Sequence, residues 1–343
     1  MKKIKYILPD FTWYSRNEFF INLIENNSEI LREDIEIYSF FGVFPNAIWN
    51  GGGTFYETKN TSIKEMKKVR DYYNSKGIAI TFTFTNSLIT EEHIHDEYCN
   101  QMLKIFHNGM NEVLVVSPIL ERYIRDNYPK YKINRSIINT ENGVFISENY
   151  NLSVLSKFKN RDFEFLRKLS QKEKKKTELL CNEFCVNDCP YAYQHYKEYA
   201  YIQLNGHLPQ NCKSDFGTCR FPGKRHEYLC QRIKNSKYWI SYEDIINTYV
   251  PMGFEYFKLA GRGVFNETTL TFFVDYLIKP EYQMDVRTYL FEEMFFEYKI
   301  DQTNKLREIP EYSEFINNSN KNCIWKFTKT FFFFPLQTPY FKV

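Results

Sequence analysis

The chain has 343 residues, of which 43% are hydrophobic, and its 45 basic and 42 acidic residues give a formal net charge of +3. This length suits one large barrel domain or two ordinary domains with a sizeable core. The near balance of charge gives no electrostatic reason to expect a nucleic-acid partner, and no apolar run reaches transmembrane length. Because Pro9 and Asp10 interrupt the first apolar run, we interpret it as a strand rather than a signal peptide and expect a cytoplasmic protein.

Short β-rich runs alternate with helical patterns along most of the chain. Alternation at this spacing predicts a parallel sheet covered by helices, and eight or nine units favour a closed (β/α)8 TIM-like barrel of the α/β class. Nine strands are one too many, so we expect either the first or the sixth to be accessory. The predicted strands are IKYIL (4–8), IEIYSF (35–40), IAITFTFTN (78–86), EVLVVS (112–117), INRSIINT (133–140), NLSVLS (151–156), TELLCNE (177–183), KYWIS (237–241) and FEYFKLAG (254–261).

The domain organisation follows from where this alternation stops. We predict a barrel over residues 1–263, including a cysteine-rich insertion at 184–236. Residues 264–343 are predicted to form a helical extension and an irregular C-terminal tail. The tail, FTKTFFFFPLQTPYFKV, is apolar but contains two prolines and charges. We expect it to pack on the body, with self-association or a membrane-surface contact as the alternatives.

Six of the eight cysteines lie between residues 181 and 230. Without an export signal, clustered cysteines favour metal or redox chemistry over structural disulfides. Thiolates hold iron–sulfur clusters and also structural zinc, so both remain open at this point. Cys181 lies in a strand among alternating apolar residues and is interpreted as core. The predicted ligands are Cys185 and Cys189 at a strand end, then Cys219 and Cys230, with Cys212 as the alternate.

Three further residues are candidates for chemistry. His195 follows the second predicted ligand in CPYAYQHY and is either a ligand, a proton donor, a group that tunes a cluster, or a histidine on a helix surface. Lys258 and Arg262 flank Gly261 at the end of the last predicted strand. A cation pair at a barrel mouth binds a carboxylate or phosphate, or else closes the barrel as part of an ion pair.

Two polar segments are predicted to face the same mouth. The sequence NGGGT (50–54) lets backbone amides approach an anion but lacks the ending of a P-loop, so we predict a mobile loop there. Asn86 ends the third predicted strand and is expected to hydrogen-bond a polar substrate.

These segments together resemble the peptidase U32 family. The family's acidic residue and cysteine at a strand end, its second cysteine, and its terminal lysine–glycine–arginine are similar to ELLCNEFCVNDCP, YWISYEDI and GFEYFKLAGR here. The matching positions are Glu178, Cys185, Cys189, Ser241, Asp244, Lys258, Gly261 and Arg262.

The resemblance implies a barrel and, in several members, a four-cysteine 4Fe-4S cluster that assists hydroxylation of RNA bases or of a quinone precursor. Other members are called collagenase-like peptidases. It therefore favours iron–sulfur over zinc, in a metal-binding enzyme that modifies a small molecule or a polymer by hydroxylation or another redox step. It also adds a nucleic-acid partner that the charge does not indicate. The alternatives are a zinc-stabilised barrel with its chemistry elsewhere and a non-enzymatic assembly partner that uses the C-terminal tail.

Overall fold

The computed structural model describes residues 4–290 except 54, 56, 141–148, 186, 188, 210–225 and 263–265. Its parallel strands form one closed eight-stranded barrel in chain order, which confirms the predicted TIM-like fold. The strands are β1 (Ile4–Pro9), β2 (Ile35–Gly42), β3 (Ala79–Phe84), β4 (Glu112–Val115), β5 (Lys132–Arg135), β6 (Ser153–Val154), β7 (Thr177–Leu180) and β8 (Tyr256–Lys258).

One strand, either the first or the sixth, was expected to be accessory, but both belong to the barrel. β1 pairs with β2 and β8, and β6 lies between β5 and β7. The prediction was wrong on this point, because the surplus segment is 237–241. Its buried Tyr238 and Ile240 alternate as strand residues do, but Ile240 N–H donates to the Cys181 carbonyl and the chain then enters a helix at Ser241.

Helices follow the strands as the alternation predicts. α2 begins with a capping box between Ser62 and Glu65, and it is followed by Gly77 at a φ of 74°. The segment 242–252 continues from α10 through a π-helical turn, Ile245–Tyr249, into α11. The helices are α1 (Tyr14–Asn26), α2 (Ile63–Ser75), α3 (Glu97–Phe106), α4 (Pro118–Asn127), α5 (Ile137–Thr140), α6 (Phe163–Lys168), α7 (Gln171–Lys174), α8 (Ala192–Asn205), α9 (His226–Lys234), α10 (Tyr242–Asp244), α11 (Val250–Met252) and α12 (Asn266–Leu277).

Strand β3 has two faces with different chemistry. Phe82 packs on Phe106 of α3, with ring centroids 4.9 Å apart, and on Phe11 at 5.5 Å. The alternate residues Thr81 and Thr83 make hydrogen bonds to polar groups inside the barrel. Period-two alternation therefore separates an aromatic layer under the helices from a polar barrel interior.

The chain divides into two compact units. One comprises Met1–Thr12 and Asp34–Thr268 and contains the barrel, and the other comprises Trp13–Glu33 and Thr269–Val343. In the second unit, Phe20 packs on Phe273 at 5.2 Å between centroids. The C-terminal tail, which was expected to pack on the body or else to mediate self-association or a membrane-surface contact, lies outside the described residues. No helix in the described part of the chain is both long and apolar enough to cross a bilayer.

Candidate active site at the barrel mouth

Cys181 follows β7 and forms part of the barrel wall. Its side chain is fully buried, its Sγ lies 3.5 Å from the Leu179 carbonyl oxygen, and its N–H donates to the Lys258 carbonyl at 2.9 Å. Burial raises the pKa of this thiol well above its ordinary value. A metal ligand has to be a thiolate, so this is the environment of a core residue.

The next turn of chain carries Cys185 and Cys189. The Cys185 N–H donates to Glu183 Oε1 at 2.8 Å, a bond between neighbouring residues of this turn. Both cysteines are half-buried, and α8 begins at Ala192, shortly after the second. The two predicted ligands therefore lie at the carboxyl end of the barrel, where the insertion leaves it.

The insertion returns to this point through α9, which carries Cys230. The Arg232 guanidinium, two residues further along the helix, donates to the Phe184 carbonyl at 2.7 Å. Ser236 Oγ donates to Asn187 Oδ1 at 2.8 Å. Cys230 is buried. These contacts fasten the returning arm of the insertion to the turn that holds the first two predicted ligands.

The donor chemistry of this segment fits iron or zinc, because the cysteines of it that the structure describes are free thiols. Cys212 and Cys219 lie outside the described residues. In the described ranges, no three His, Cys, Asp or Glu side chains converge into a group that holds a metal. The cysteines at 185, 189 and 230 therefore do not complete a site by themselves, and the four-cysteine centre stays a prediction.

His195 lies in the first half of α8. Its N–H donates to the Tyr191 carbonyl at 2.9 Å, and its half-buried ring lies 6.4 Å from the ring of Tyr191. The structure therefore gives this histidine a helical backbone and an aromatic neighbour. Its roles as ligand or proton donor stay predictions.

The far end of α8 lies against the barrel mouth. Asn86, which follows β3, donates from Nδ2 to the Ala200 carbonyl at 3.0 Å and to the Ile48 carbonyl at 2.9 Å. Its Oδ1 accepts the Leu88 N–H at 2.9 Å. Asn86 was expected to face a substrate, but these bonds use its amide to hold α8 on the barrel.

Lys258, the last residue of β8, is buried in an ion pair. Its Nζ lies 2.7 Å from Glu178 Oε1 of β7 and 4.1 Å from the centre of the Phe41 ring. Glu178 Oε1 has no well-aligned hydrogen bond among the described residues, so the contact is an ion pair of poor directionality. The sequence left two roles open for this lysine, anion binding and an ion pair that closes the barrel. The observed contact is the ion pair.

Arg262 follows β8 and reaches across the mouth. Its Nη1 donates to Asn50 Oδ1 at 3.0 Å and to Thr83 Oγ1. The glycine run next to Asn50 packs closely here: a Cβ on Gly51 would lie 2.6 Å from the Thr85 carbonyl carbon. Glycine is thus required for contact with the barrel rim, as well as for flexibility.

A second buried carboxylate lies at the opposite end of the barrel, and the sequence reasoning missed it. Glu112 begins β4, and its oxygens accept hydrogen bonds from Tyr38, Asn134 at 2.7 Å, Asn151 at 3.2 Å and Thr81 at 3.3 Å. Burial raises the pKa of Glu112 in spite of these donors, and burial also raises the pKa of Tyr38. The sequence signal that could have indicated this buried carboxylate is an acidic residue within an otherwise apolar strand, EVLVVS (112–117).

The bulge in β2 explains how Tyr38 reaches this carboxylate. The pairing of β1 with β2 moves from Tyr6↔Ile37 to Ile7↔Ser39, which leaves Tyr38 as the extra residue. A bulge turns successive side chains to one face of a sheet. Tyr38 then contacts Glu112, and Ser39 accepts a bond from Thr81 at 3.3 Å.

A separate groove lies on the outer side of the barrel between α3 and α4. Both Tyr123 and Tyr128 donate from their hydroxyls to Asn100 Oδ1, at 2.7 and 3.0 Å. Asn100 Nδ2 donates in turn to the Ile94 carbonyl at 2.8 Å. The amide of Asn100 and the two tyrosine hydroxyls already make hydrogen bonds within the groove. They therefore give less reason to expect a bound ligand here than the polar groups at the barrel mouth do. Its lining residues are His95, Glu97, Asn100, Gln101, Lys104, Tyr123 and Tyr128.

Comparison with solved structures found a similarity to a U32 peptidase. The structure of the U32 peptidase Mk0906 matches with a TM-score of 0.40 and 11% sequence identity, over 76% of this chain and 93% of that chain. No protein-family model matches the sequence. No curated protein matches it either.

Proposed function

We propose that this chain is an iron–sulfur-dependent barrel enzyme of the U32-like type, which acts at the carboxyl mouth of its barrel. The observation that carries the proposal is the bond from Arg232 to the Phe184 carbonyl. This bond holds α9, which carries Cys230, against the turn that contains Cys185. The ends of the long insertion are therefore tied together beside the barrel mouth, as an insertion that closes around a metal requires.

The proposed ligands are Cys185, Cys189, Cys219 and Cys230, with Cys212 as the alternate for either of the last two. A bound 4Fe-4S cluster supplies electron transfer or a coordination position for substrate. We take a cytoplasmic location as part of the proposal, because thiol ligands persist in a reducing compartment.

The chain's own residues supply position and charge around the mouth. Arg262 lies on the rim, held by Asn50 and Thr83, and Lys258 lies deeper with Glu178. His195, on the helix that leads from the cysteine segment to the mouth, is the proposed proton donor. The proposed reaction is a hydroxylation or another redox step on a small molecule or a polymer. A nucleic-acid substrate rests on the family resemblance alone.

Metal analysis of protein purified without oxygen tests the proposal. We expect brown protein with broad visible absorbance and about four irons per chain. The variants Cys185→Ser and Cys189→Ser should lose the iron. Cys99→Ser, at a buried cysteine of α3, is the matched control and should keep it.

Two outcomes contradict the proposal in different ways. Colourless protein with about one zinc per chain would replace it with a zinc-stabilised barrel, because zinc uses the same thiolates. Metal content that is unchanged in both ligand variants would exclude the cysteine segment as a metal site altogether.

A further inference from the structure

Two buried polar atoms at the barrel mouth have no hydrogen-bond partner among the described residues. They are the hydroxyl of Thr85, which follows β3, and Nε2 of Gln203 on α8. Their side chains are 3% and 2% exposed. Buried polar groups are nearly always paired, so each unpaired one needs a reason. Two of them at one end of the barrel indicate a ligand.

Both side chains belong to the cluster around Arg262. Gln203 Oε1 accepts from Asn50 Nδ2 at 3.4 Å, and Asn50 Oδ1 accepts from Arg262 at 3.0 Å. A Cβ on Gly52 would collide with Arg262 Nη2 and would lie 3.6 Å from Thr85 Oγ1. The arginine and the threonine therefore border the same space over Gly52, and Gln203 joins them through Asn50.

The chemistry of this cluster is that of hydrogen-bond donors around a positive charge. A guanidinium, a primary amide N–H2 and a hydroxyl all donate, and a guanidinium matches the two oxygens of a carboxylate or phosphate. Gly52 has no side chain, which leaves room for the Arg262 guanidinium next to its backbone. Gly52, Gly53 and Arg262 are half-buried, so the cluster is open to solvent on one side.

Lys258 is excluded from this role by its surroundings. It is 7% exposed and lies against Glu178 and Phe41. The sequence predicted an anion site formed by a lysine and an arginine. The structure instead places the amide of Gln203 and the hydroxyl of Thr85 near the arginine, and the sequence pattern identified neither of them.

We infer that Arg262, Thr85 and Gln203 bind the oxyanion group, a carboxylate or a phosphate, of a small substrate. The inference rests on the proposed function only in treating the bound molecule as a substrate, because the binding itself requires no metal. Since Gln203 belongs to the cysteine insertion and the other two to the barrel, a bound oxyanion bridges the two parts of the mouth.

Binding of simple anions to the full-length protein tests this inference. Malonate and inorganic phosphate are the probes, and neutral malonamide is the control ligand, with affinities measured by calorimetry and by the rise in Tm on binding. Arg262→Gln and Gln203→Glu should each weaken binding of the preferred anion at least tenfold. The matched controls are Arg161→Gln, an arginine paired with Asp244, and Gln231→Glu on the exposed side of α9. Both should bind as the parent protein does.

The binding measurements distinguish a carboxylate ligand from a phosphate ligand, and both from the absence of an anion site. Binding of malonate alone identifies a carboxylate ligand, and binding of phosphate alone identifies a phosphate ligand. If neither anion binds the parent protein, or if the site variants and controls bind equally well, the inference is wrong. Should Arg262→Gln fail to fold, Gln203→Glu and the shape-conserving Thr85→Val decide, the latter with a several-fold loss. If protein purified without oxygen contains no iron but still binds the anion through these three residues, the missing iron counts against the proposed function while this inference stands.

Discussion

The ammonium group of Lys258 lies 2.7 Å from a carboxylate oxygen of Glu178 inside the barrel. Both side chains are almost completely buried, and the ring of Phe41 covers the ammonium at 4.1 Å. Removing two charges from water is costly, and their attraction offsets that cost only while both are present. The barrel interior is therefore sensitive to the loss of either charge alone.

Removing one member of this pair should destabilise the fold strongly. We expect Lys258→Met to lower the free energy of unfolding by about 3–5 kcal/mol, because it leaves the Glu178 carboxylate buried and uncompensated. The double variant with Glu178→Leu should recover most of the loss. Urea denaturation measures both. Lys168→Met, which breaks the exposed pair with Glu164, is the control and should cost less than about 1 kcal/mol. Equal losses in the single and double variants would show that packing, and not charge, dominates at this site.

Glu112 should make the fold less stable as the pH rises. Burial raises its pKa above the ordinary 4.5, so the folded chain keeps this proton to a higher pH than the unfolded chain does. Stability falls with pH wherever the folded state binds more protons, so the loss begins near the unfolded pKa and ends at the folded one. Glu112→Gln should therefore gain stability relative to the parent protein as the pH rises above 4.5.

Urea denaturation across the range from about pH 4 to pH 8 measures this difference. The same substitution at the exposed Glu164 controls for the general effect of removing one negative charge. A difference between Glu112→Gln and the parent that does not change with pH would contradict the prediction.

The barrel was predictable because its repeating unit is local. Each strand and the helix after it have their own periodicity, and a parallel order follows from their alternation. The predicted number of strands was one too high, because a period-two pattern of apolar residues indicates burial but does not show whether a segment pairs with another strand. Tyr238 and Ile240 alternate into the interior as strand residues do, although they lie outside the barrel ladder. The two-residue strand Ser153–Val154 lies within the predicted run 151–156, but its place in the barrel depends on its pairing with β5 and β7.

The mouth was predictable in its positions but not in its pairings. The strand pattern placed Lys258 and Arg262 at the end of β8, because parallel strands end on one side of a barrel, and their roles there stay predictions. Their partners Glu178, Asn50 and Thr83 are distant in sequence, and no local pattern links them. Gln203 was missed for the same reason: its helix belongs to an insertion whose docking on the barrel depends on tertiary contacts.

Cysteine reactivity should separate the core from the candidate site. In metal-free, reduced protein we expect iodoacetamide to modify Cys185 and Cys189 at least tenfold faster than Cys181. The thiol of Cys181 is fully buried with a raised pKa, and thiolate character and exposure together govern the rate. Mass spectrometry of digested protein gives the rate at each cysteine. Cys99, which is also buried with a raised pKa, is the internal control and should react as slowly as Cys181. Rapid modification of Cys181 in folded protein would show that the turn after β7 opens in solution.

Asn86 should be the residue that keeps α8 seated on the barrel. Asn86→Leu preserves the approximate volume but removes the donor to the Ile48 carbonyl and the additional donor to the Ala200 carbonyl of α8. We expect the free energy of unfolding to fall by about 1–3 kcal/mol. Because one of those groups belongs to α8, we expect hydrogen exchange to speed up in α8 while the amides of β3 stay protected. Asn205→Leu is the matched control, since this asparagine is exposed and its amide bonds only to the Tyr201 carbonyl one turn earlier in the same helix. Exchange that is equally slow in α8 of both variants would mean that Gln203 and the packing of Ala200 hold the helix without Asn86.

Exchange that speeds up throughout the barrel would mean instead that Asn86 stabilises the rim itself, through the Ile48 carbonyl and the Leu88 N–H.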